Sequence, residues 1–222
     1  MSIILKNTFP FENTPLPYGY DSLEPFIDGE TIKIHHGELL QGYVSRLNEV
    51  LSKYPFLQKL TLDRLIDLYC RSGTMRHGAW ENIPRADIIK LCRSAGGVYC
   101  HRLYFESMTP GAKKRPRGCL AGAINRAFGD FESFSERFTT AAMSVFGSGY
   151  AWLAMRGTEP VILTSANQDV IPACPLLNLD VWEHSYFLKY HGSRDKYIKA
   201  WWNIVNWSAA EARYQSCLSR FF

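Results

Sequence analysis

The chain is short of several features, and each shortage narrows its class. No apolar run approaches the roughly 20 residues that a membrane-spanning helix needs. The apolar patch near the N-terminus has neither a long hydrophobic stretch nor a small-residue cleavage site. The expected compartment is therefore the cytoplasm, with no membrane partner. No CxxC pair occurs among Cys70, Cys92, Cys100, Cys119, Cys174 and Cys217. In a cytosolic chain these are expected to be free, mostly buried thiols. A strong excess of charge is also missing: the net charge of +4 gives no case for a nucleic-acid partner. Internal repeats and low-complexity segments are absent.

What is present is an ordinary globular balance. The 222 residues are 46% hydrophobic and 21% charged, enough for one large domain or two small ones with a real core. Residues 1–28 are rich in proline, glycine and asparagine and predict an extended arm with turns. From Asp28 to Tyr54 the apolar positions fall at helical spacing, and Pro55 should stop that helix. LTLDRLIDLYCRSG predicts a second helical region up to Gly73, and Arg85 to Ser107 a third. TPGAKKRPRG, residues 109–118, has two prolines, two glycines and four basic residues. It divides the chain into 1–110 and 111–222. Its KKRPR run lacks interleaved aromatics and is expected to be a solvated linker, not a nucleic-acid patch. Beyond it lie two shorter helices split at Gly129, then YAWLAMR and PVILTSA as strands joined by GTEP, then PLLNLDVW as a third strand. RDKYIKAWWNIVNWSAAEARYQSCLSRF closes the chain as helix. A helical first half and a mixed second half indicate the α+β class.

The candidate chemistry lies in the histidines: His35, His36, His77, His101, His184 and His191. Asp180 and His184 are four apart, so a segment that coils after the third strand can aim both at one point. A carboxylate with two or three imidazoles suits a redox-active first-row metal such as Mn or Fe. On spacing alone, an Asp180 helix cap with a surface His184 fits equally well. His101 sits among apolar residues, and a buried imidazole needs a partner for its ring nitrogens. His35 and Tyr43 are about 80° apart on an α-helix, leaning to one side, with Leu39 between them. That stripe reads either as a core face or as one wall of a metal site.

DVWEHSYF resembles the D-x-W-E-H signature of the iron/manganese superoxide dismutases. The resemblance runs over almost the whole chain: LPYGYDSLEPFIDGETIKIHHGELLQGYVSRLN, AGGVYCHRLYFESMTP, FGSGYAWL, TSANQD and YIKAWWNIVNW resemble the family's other landmarks in the right order. It implies an N-terminal helical hairpin followed by an α/β domain with a three-stranded antiparallel sheet. It makes His35, His101, Asp180 and His184 the metal ligands. It implies that superoxide is converted to oxygen and hydrogen peroxide by alternate reduction and oxidation of a single Mn or Fe ion. Tyr43 matches the family's gateway tyrosine and Trp182 an aromatic wall. Glu183 matches the residue that reaches across a homodimer to the partner's ligand histidine; a tetramer of two such dimers is left open. The family's solvent-binding glutamine stands in iron-type members where this chain has Gly97, and in manganese-type members where it has Gln168. The pattern is therefore manganese-type, with iron still open.

Four positions depart from the family pattern. Leu39 replaces a histidine and Phe187 a tyrosine, two residues that normally bond to each other across the dimer. Losing both leaves no buried polar group stranded, which predicts a matched apolar contact. Tyr150 and Phe105 each replace a tryptophan at the pocket. These departures support an alternative: a metal-binding homologue with an altered interface and funnel and weakened catalysis. Lys189 and Arg194 are the expected candidates for guiding the superoxide anion.

Overall fold

A computed structural model describes residues 8–70 and 83–219. His77 and the end of the second helical region, with Gly73, lie outside the described residues.

The first long helix begins where the sequence places it. Asp28 caps it, accepting from the Thr31 amide at 2.8 Å and the Thr31 hydroxyl at 2.7 Å. It runs as α1 (Gly29–Ile34), a π-helical segment His35–Leu40, and α2 (Gln41–Ser52). Pro55 opens a short 3-10 turn beyond it. A short α3 (Leu62–Leu65) leads into a second π segment, Ile66–Cys70. The long α4 (Arg85–Glu106) packs along α2 and completes the hairpin. Leu40, Val44, Leu47 and Leu51 meet Leu91, Ala95 and Val98 in one core.

The N-terminal arm is tied to the hairpin by polar contacts. Phe11 and Asn48 exchange two hydrogen bonds at 2.8 Å, and Tyr18 donates to the Phe105 carbonyl at 2.9 Å. His36 donates to the Thr14 carbonyl at 2.7 Å. The adjacent histidines thus divide their work: His36 faces the arm and His35 the interior.

Residues 109–118 connect the two halves. Arg115 pairs with Glu132 and lies 5.4 Å over the Phe131 ring, while Lys113 and Lys114 are exposed, as a solvated linker requires. Next come α5 (Gly118–Phe128) and α6 (Phe131–Ser144), split at Gly129 with φ +96°. Asp130 caps α6 through the Ser133 amide.

The sheet has the order β2-β1-β3 and is antiparallel throughout. It comprises β1 (Gly149–Arg156), β2 (Glu159–Ala166) and β3 (Cys174–Asp180). β1 is the buried central strand, and Tyr150 pairs with Asp180 at the end where β3 leaves the sheet. The chain then forms a 3-10 turn over Glu183–Ser185, and α7 (Phe187–Tyr190), α8 (Arg194–Trp201) and α9 (Trp207–Leu218). The architecture is a helical hairpin followed by an α/β domain with a three-stranded antiparallel sheet. Among the described residues no helix is long and apolar enough to cross a membrane.

Two expectations are corrected. The closing helix is broken between Trp201 and Trp207: Val205 bridges to Met108, and Asn206 restarts the helix by capping the Ala209 amide at 3.1 Å. The cysteines are not all free thiols. Cys174 and Cys217, 43 residues apart, form a disulfide with Cα atoms 6.3 Å apart. It forms because α9 packs on β3, a long-range docking that cysteine spacing does not encode. Cys100 is a buried thiol as expected, but Cys119 is an exposed one.

Candidate metal centre

Four elements deliver one polar side chain each to a single point. His35 comes from the π segment, His101 from the last turns of α4, Asp180 from the end of β3, and His184 from the 3-10 turn. One ligand atom from each lies within 4.8 Å of all the others. His35, His101 and Asp180 are 0% exposed. The His184 side chain is 23% exposed.

The π segment explains why the first helix can serve this point. A π turn takes up one residue more than an α turn. The eight-residue step from His35 to Tyr43 then acts as about seven, and their offset falls from about 80° to about 20°. Both therefore face the same side, with Tyr43 5.2 Å from the His101 ring.

His101 and Asp180 are held by their other atoms, and His35 and His184 by ring contacts. His101 Nδ1 donates to the Gly97 carbonyl at 2.6 Å, which fixes the tautomer and leaves Nε2 bare. Asp180 Oδ1 accepts from the Trp182 amide at 2.8 Å, and its carbonyl accepts from Tyr197 at 2.9 Å. Tyr104 shares a 2.9 Å hydrogen bond with Tyr197 and stacks on His35 at 5.3 Å. Phe105 meets His35 edge-on at 5.0 Å, and Trp182 stacks on His184 at 5.3 Å.

The remaining atoms test whether a metal fits. His35 Nε2, His101 Nε2, Asp180 Oδ2 and His184 Nε2 are all buried and all lack a hydrogen-bond partner. Asp180 Oδ2 is 3.4 Å from His35 Nε2 and 3.7 Å from His184 Nε2. Orphaned buried polar atoms are costly, and four converging ones fit a cation that takes three imidazoles and one carboxylate. Protonation favours the same fit. Burial, with His184 nearby, pushes His35 down to about 3. Burial pushes His101 down to about 4. Burial alone would raise the Asp180 carboxyl, but His184 and His35 against it hold it well below the usual carboxylate range. His35 and His101 are thus neutral imidazoles and Asp180 a carboxylate near neutral pH, the forms that bind metal.

A hydrogen-bonded chain borders the cluster. Tyr150 donates to Gln168 Oε1 at 3.0 Å, and Gln168 Nε2 donates to Tyr43 Oη at 3.2 Å. Asn167, at φ +49°, turns the backbone after β2 so that Gln168 reaches inward. Burial raises the Tyr43 hydroxyl, although the Gln168 hydrogen bond and Arg46 pull the other way. Burial also raises the Tyr150 hydroxyl well above its usual value.

The paired glycines of α4 make this arrangement possible. A Cβ on Gly97 would sit 2.2 Å from the Tyr43 ring, and one on Gly96 would sit 2.1 Å from the Gln168 carbonyl oxygen. A side chain at position 97 and Tyr43 compete for one space.

The sequence expectations divide here. His35, His101, Asp180, His184, Tyr43, Gln168, Trp182, Tyr150 and Phe105 are brought together. Leu39, Glu183 and Phe187 lie toward the outside, half-buried or exposed. Lys189 pairs with Glu24 at 2.9 Å, whereas Arg194 donates to the neutral Val145 and Gly147 carbonyls at 2.6 and 2.8 Å and keeps its charge in the cleft beside His184. Their chain position near His184 concealed those partners. Sequence reasoning missed Tyr104 and Tyr197. Tyr104 was within reach, since it lies three after His101 and so shares its helix face.

A helical hairpin joined to a three-stranded sheet, with three imidazoles and a carboxylate buried between, defines a mononuclear metal protein. Residues 10–109 match the family described as iron/manganese superoxide dismutases, alpha-hairpin domain, and residues 116–213 match the C-terminal domain of the same family. Superoxide dismutase [Mn] 1 of Leptolyngbya boryana is 39% identical over 211 residues, covering 92% of this chain and 81% of its own. Superoxide dismutase [Mn] of Thermus aquaticus is 40% identical, covering 93% and 98%. Superoxide dismutase [Mn] 2 of Bacillus anthracis is 37% identical, covering 92% and 94%. The chain belongs to the iron/manganese superoxide dismutase family.

Proposed function

We propose that the protein is an active superoxide dismutase that converts two superoxide ions and two protons to oxygen and hydrogen peroxide. The observation that carries this reading is the set of four buried, unpartnered ligand atoms within 4.8 Å of one another. His35, His101, Asp180 and His184 are assigned as ligands. Manganese is the favoured ion, because Gln168 supplies the amide and position 97 has no room for one; iron is the other ion the family uses. A bound ion of either kind would supply one-electron chemistry, accepting an electron from one superoxide and returning it to the next.

The chain's own residues bind, orient and protonate. Gly97, Trp182 and Tyr197 fix the ligand orientations. Tyr104, Phe105 and Trp182 keep water from the ring faces. Tyr150 orients the Gln168 amide, which donates to Tyr43 Oη and leaves the Tyr43 proton free to face the pocket. The raised hydroxyl groups of Tyr43 and Tyr150 keep both residues protonated near neutral pH, so both act as donors. The intact ligand set and relay favour an active enzyme over a weakened homologue.

The quaternary reading is a homodimer whose second copy covers the open side of His184. A cleft lined by Gly147, Ser148, Trp182, Glu183, His184 and Arg194 opens there. Phe146, Phe187 and Leu188 beside it in the chain are 99%, 49% and 51% exposed. Glu183 is exposed and free to reach a partner, and Leu39 and Phe187 would form a dry contact across the dimer. A tetramer would use another face. The domain boundary is placed at residues 110 and 111. The cytoplasm is the compartment read from the sequence, and the Cys174–Cys217 disulfide favours a more oxidising setting.

The test is a dismutation assay on protein reconstituted separately with Mn and with Fe. Activity proportional to bound manganese is expected. A full metal complement without activity in either form would overturn the reading.

A further inference from the structure

A cavity of about 830 Å³ opens beside the metal centre. Two of its walls touch the ligands: Tyr43 lies 5.2 Å from the His101 ring, and Trp182 5.3 Å from the His184 ring. Gln168 lines it between them. Its charged lining is Arg46 from α2, Lys90 and Arg93 from α4, and the carboxylates Glu49 and Asp169. Arg46 stands out by position. Its guanidinium lies 4.6 Å over the Tyr43 ring. Among the described residues it meets no carboxylate at ion-pair distance.

We infer that Arg46 is an anion-capturing residue of this protein, and that the mouth it guards accepts small oxyanions in general, phosphate among them. The inference rests on the dismutase reading for superoxide but not for phosphate. A guanidinium presents two parallel N–H donors, which suit two oxygens of one anion better than an ammonium does. Lying on the face of Tyr43, it delivers an anion next to the hydroxyl that holds the proton. Lys90 and Arg93 add positive field along α4, and the low-dielectric aromatic walls concentrate that field. Arg46 comes three residues after Tyr43 and so shares its helix face, and it acts alongside Arg194, which lines the separate cleft beside His184.

Two measurements test this. In the holoenzyme at low salt, Arg46→Glu should lower kcat/KM about ten-fold, within the range for electrostatic guidance, with kcat changed much less. Arg46→Lys should recover most of the loss, and added salt should slow the wild type far more than Arg46→Glu. Metal content should be equal in all three. A purely structural Arg46 would instead change metal content and leave the salt dependence intact. In the metal-free protein, the ³¹P resonance of inorganic phosphate should broaden with the wild type and not with Arg46→Glu. An Arg46→Glu variant that keeps the wild-type kcat/KM and salt slope, or equal phosphate broadening by both proteins, would overturn the inference. If the reconstituted wild type shows no dismutation, the dismutase reading fails, and the phosphate measurement still decides on Arg46.

Discussion

His35, His101 and Asp180 are sealed at 0% exposure, whereas His184 keeps 23% of its side chain open beside the exposed Glu183. The sealed ligands are fixed from within. The Gly97 carbonyl holds His101, the Trp182 amide and Tyr197 hydroxyl hold Asp180, and the Tyr104 and Phe105 rings hold His35. The open ligand is held by Trp182 on one face and faces a cleft on the other. The difference separates two jobs. Holding a metal requires a dry, over-determined pocket, and the unfinished side at His184 is the one the proposed dimer would cover.

Changes on the sealed side should have the largest effects. Asp180→Ala removes the one anionic ligand and leaves only three imidazoles to hold the cation. Metal content and dismutation should fall at least as far as the ~10–100-fold that loss of an outer-shell partner costs. Atomic absorption and an activity assay check this together.

Acid should act next, through the same buried histidines. His35 and His101 titrate at about 3 and about 4 in the folded chain, below the roughly 6.5 of an unfolded histidine. Between those values the unfolded chain binds more protons, so stability falls as pH falls from about 6.5 toward 4. Denaturant midpoints of the metal-free protein across that window should drop steadily. A flat profile would show that the histidines are less buried than described.

The disulfide fastens α9 to the start of β3, the strand that ends in Asp180. Cys174→Ser with Cys217→Ser should cost about 2–4 kcal/mol, read as a lower melting temperature, while activity at room temperature persists. A similar melting temperature with and without the bridge would remove α9 docking from the account.

Smaller effects belong to the relay. Gly97→Ala forces a Cβ against the Tyr43 ring and should cost about 1–3 kcal/mol as overpacking does, with activity falling as Tyr43 moves. Tyr150→Phe strands one oxygen of Gln168, at about 1–3 kcal/mol for a buried unsatisfied group. Tyr150→Trp should restore a donor and part of the loss.

Much of this was legible in the sequence, for reasons that differ by element. The strands and α4 were read from alternation and helical spacing in YAWLAMR and IIKLCRSAGGVYCHRLYF, although Tyr150 to Met155 and Cys100 to Phe105 are in fact buried without a break. The ligands were readable through the D-x-W-E-H resemblance, not through spacing, which left Asp180 and His184 ambiguous. The π segment was not readable: HHGELLQGY has no composition that separates a π turn from an α turn, yet the turn brings Tyr43 into line. The role of Gly97 needed coordinates, since only the Tyr43 ring explains it. The Cys174–Cys217 bridge, the tethers on Lys189 and Arg194 and the break before Trp207 all depend on long-range docking.

Anomalous scattering at the manganese and iron edges, from crystals of metal-loaded protein, tests the central claim most directly. The account predicts one peak, about 2.0–2.4 Å from His35 Nε2, His101 Nε2, Asp180 Oδ2 and His184 Nε2, a normal range for a first-row metal with nitrogen and oxygen ligands. No peak there in metal-loaded crystals, or a peak held by other residues, would contradict it.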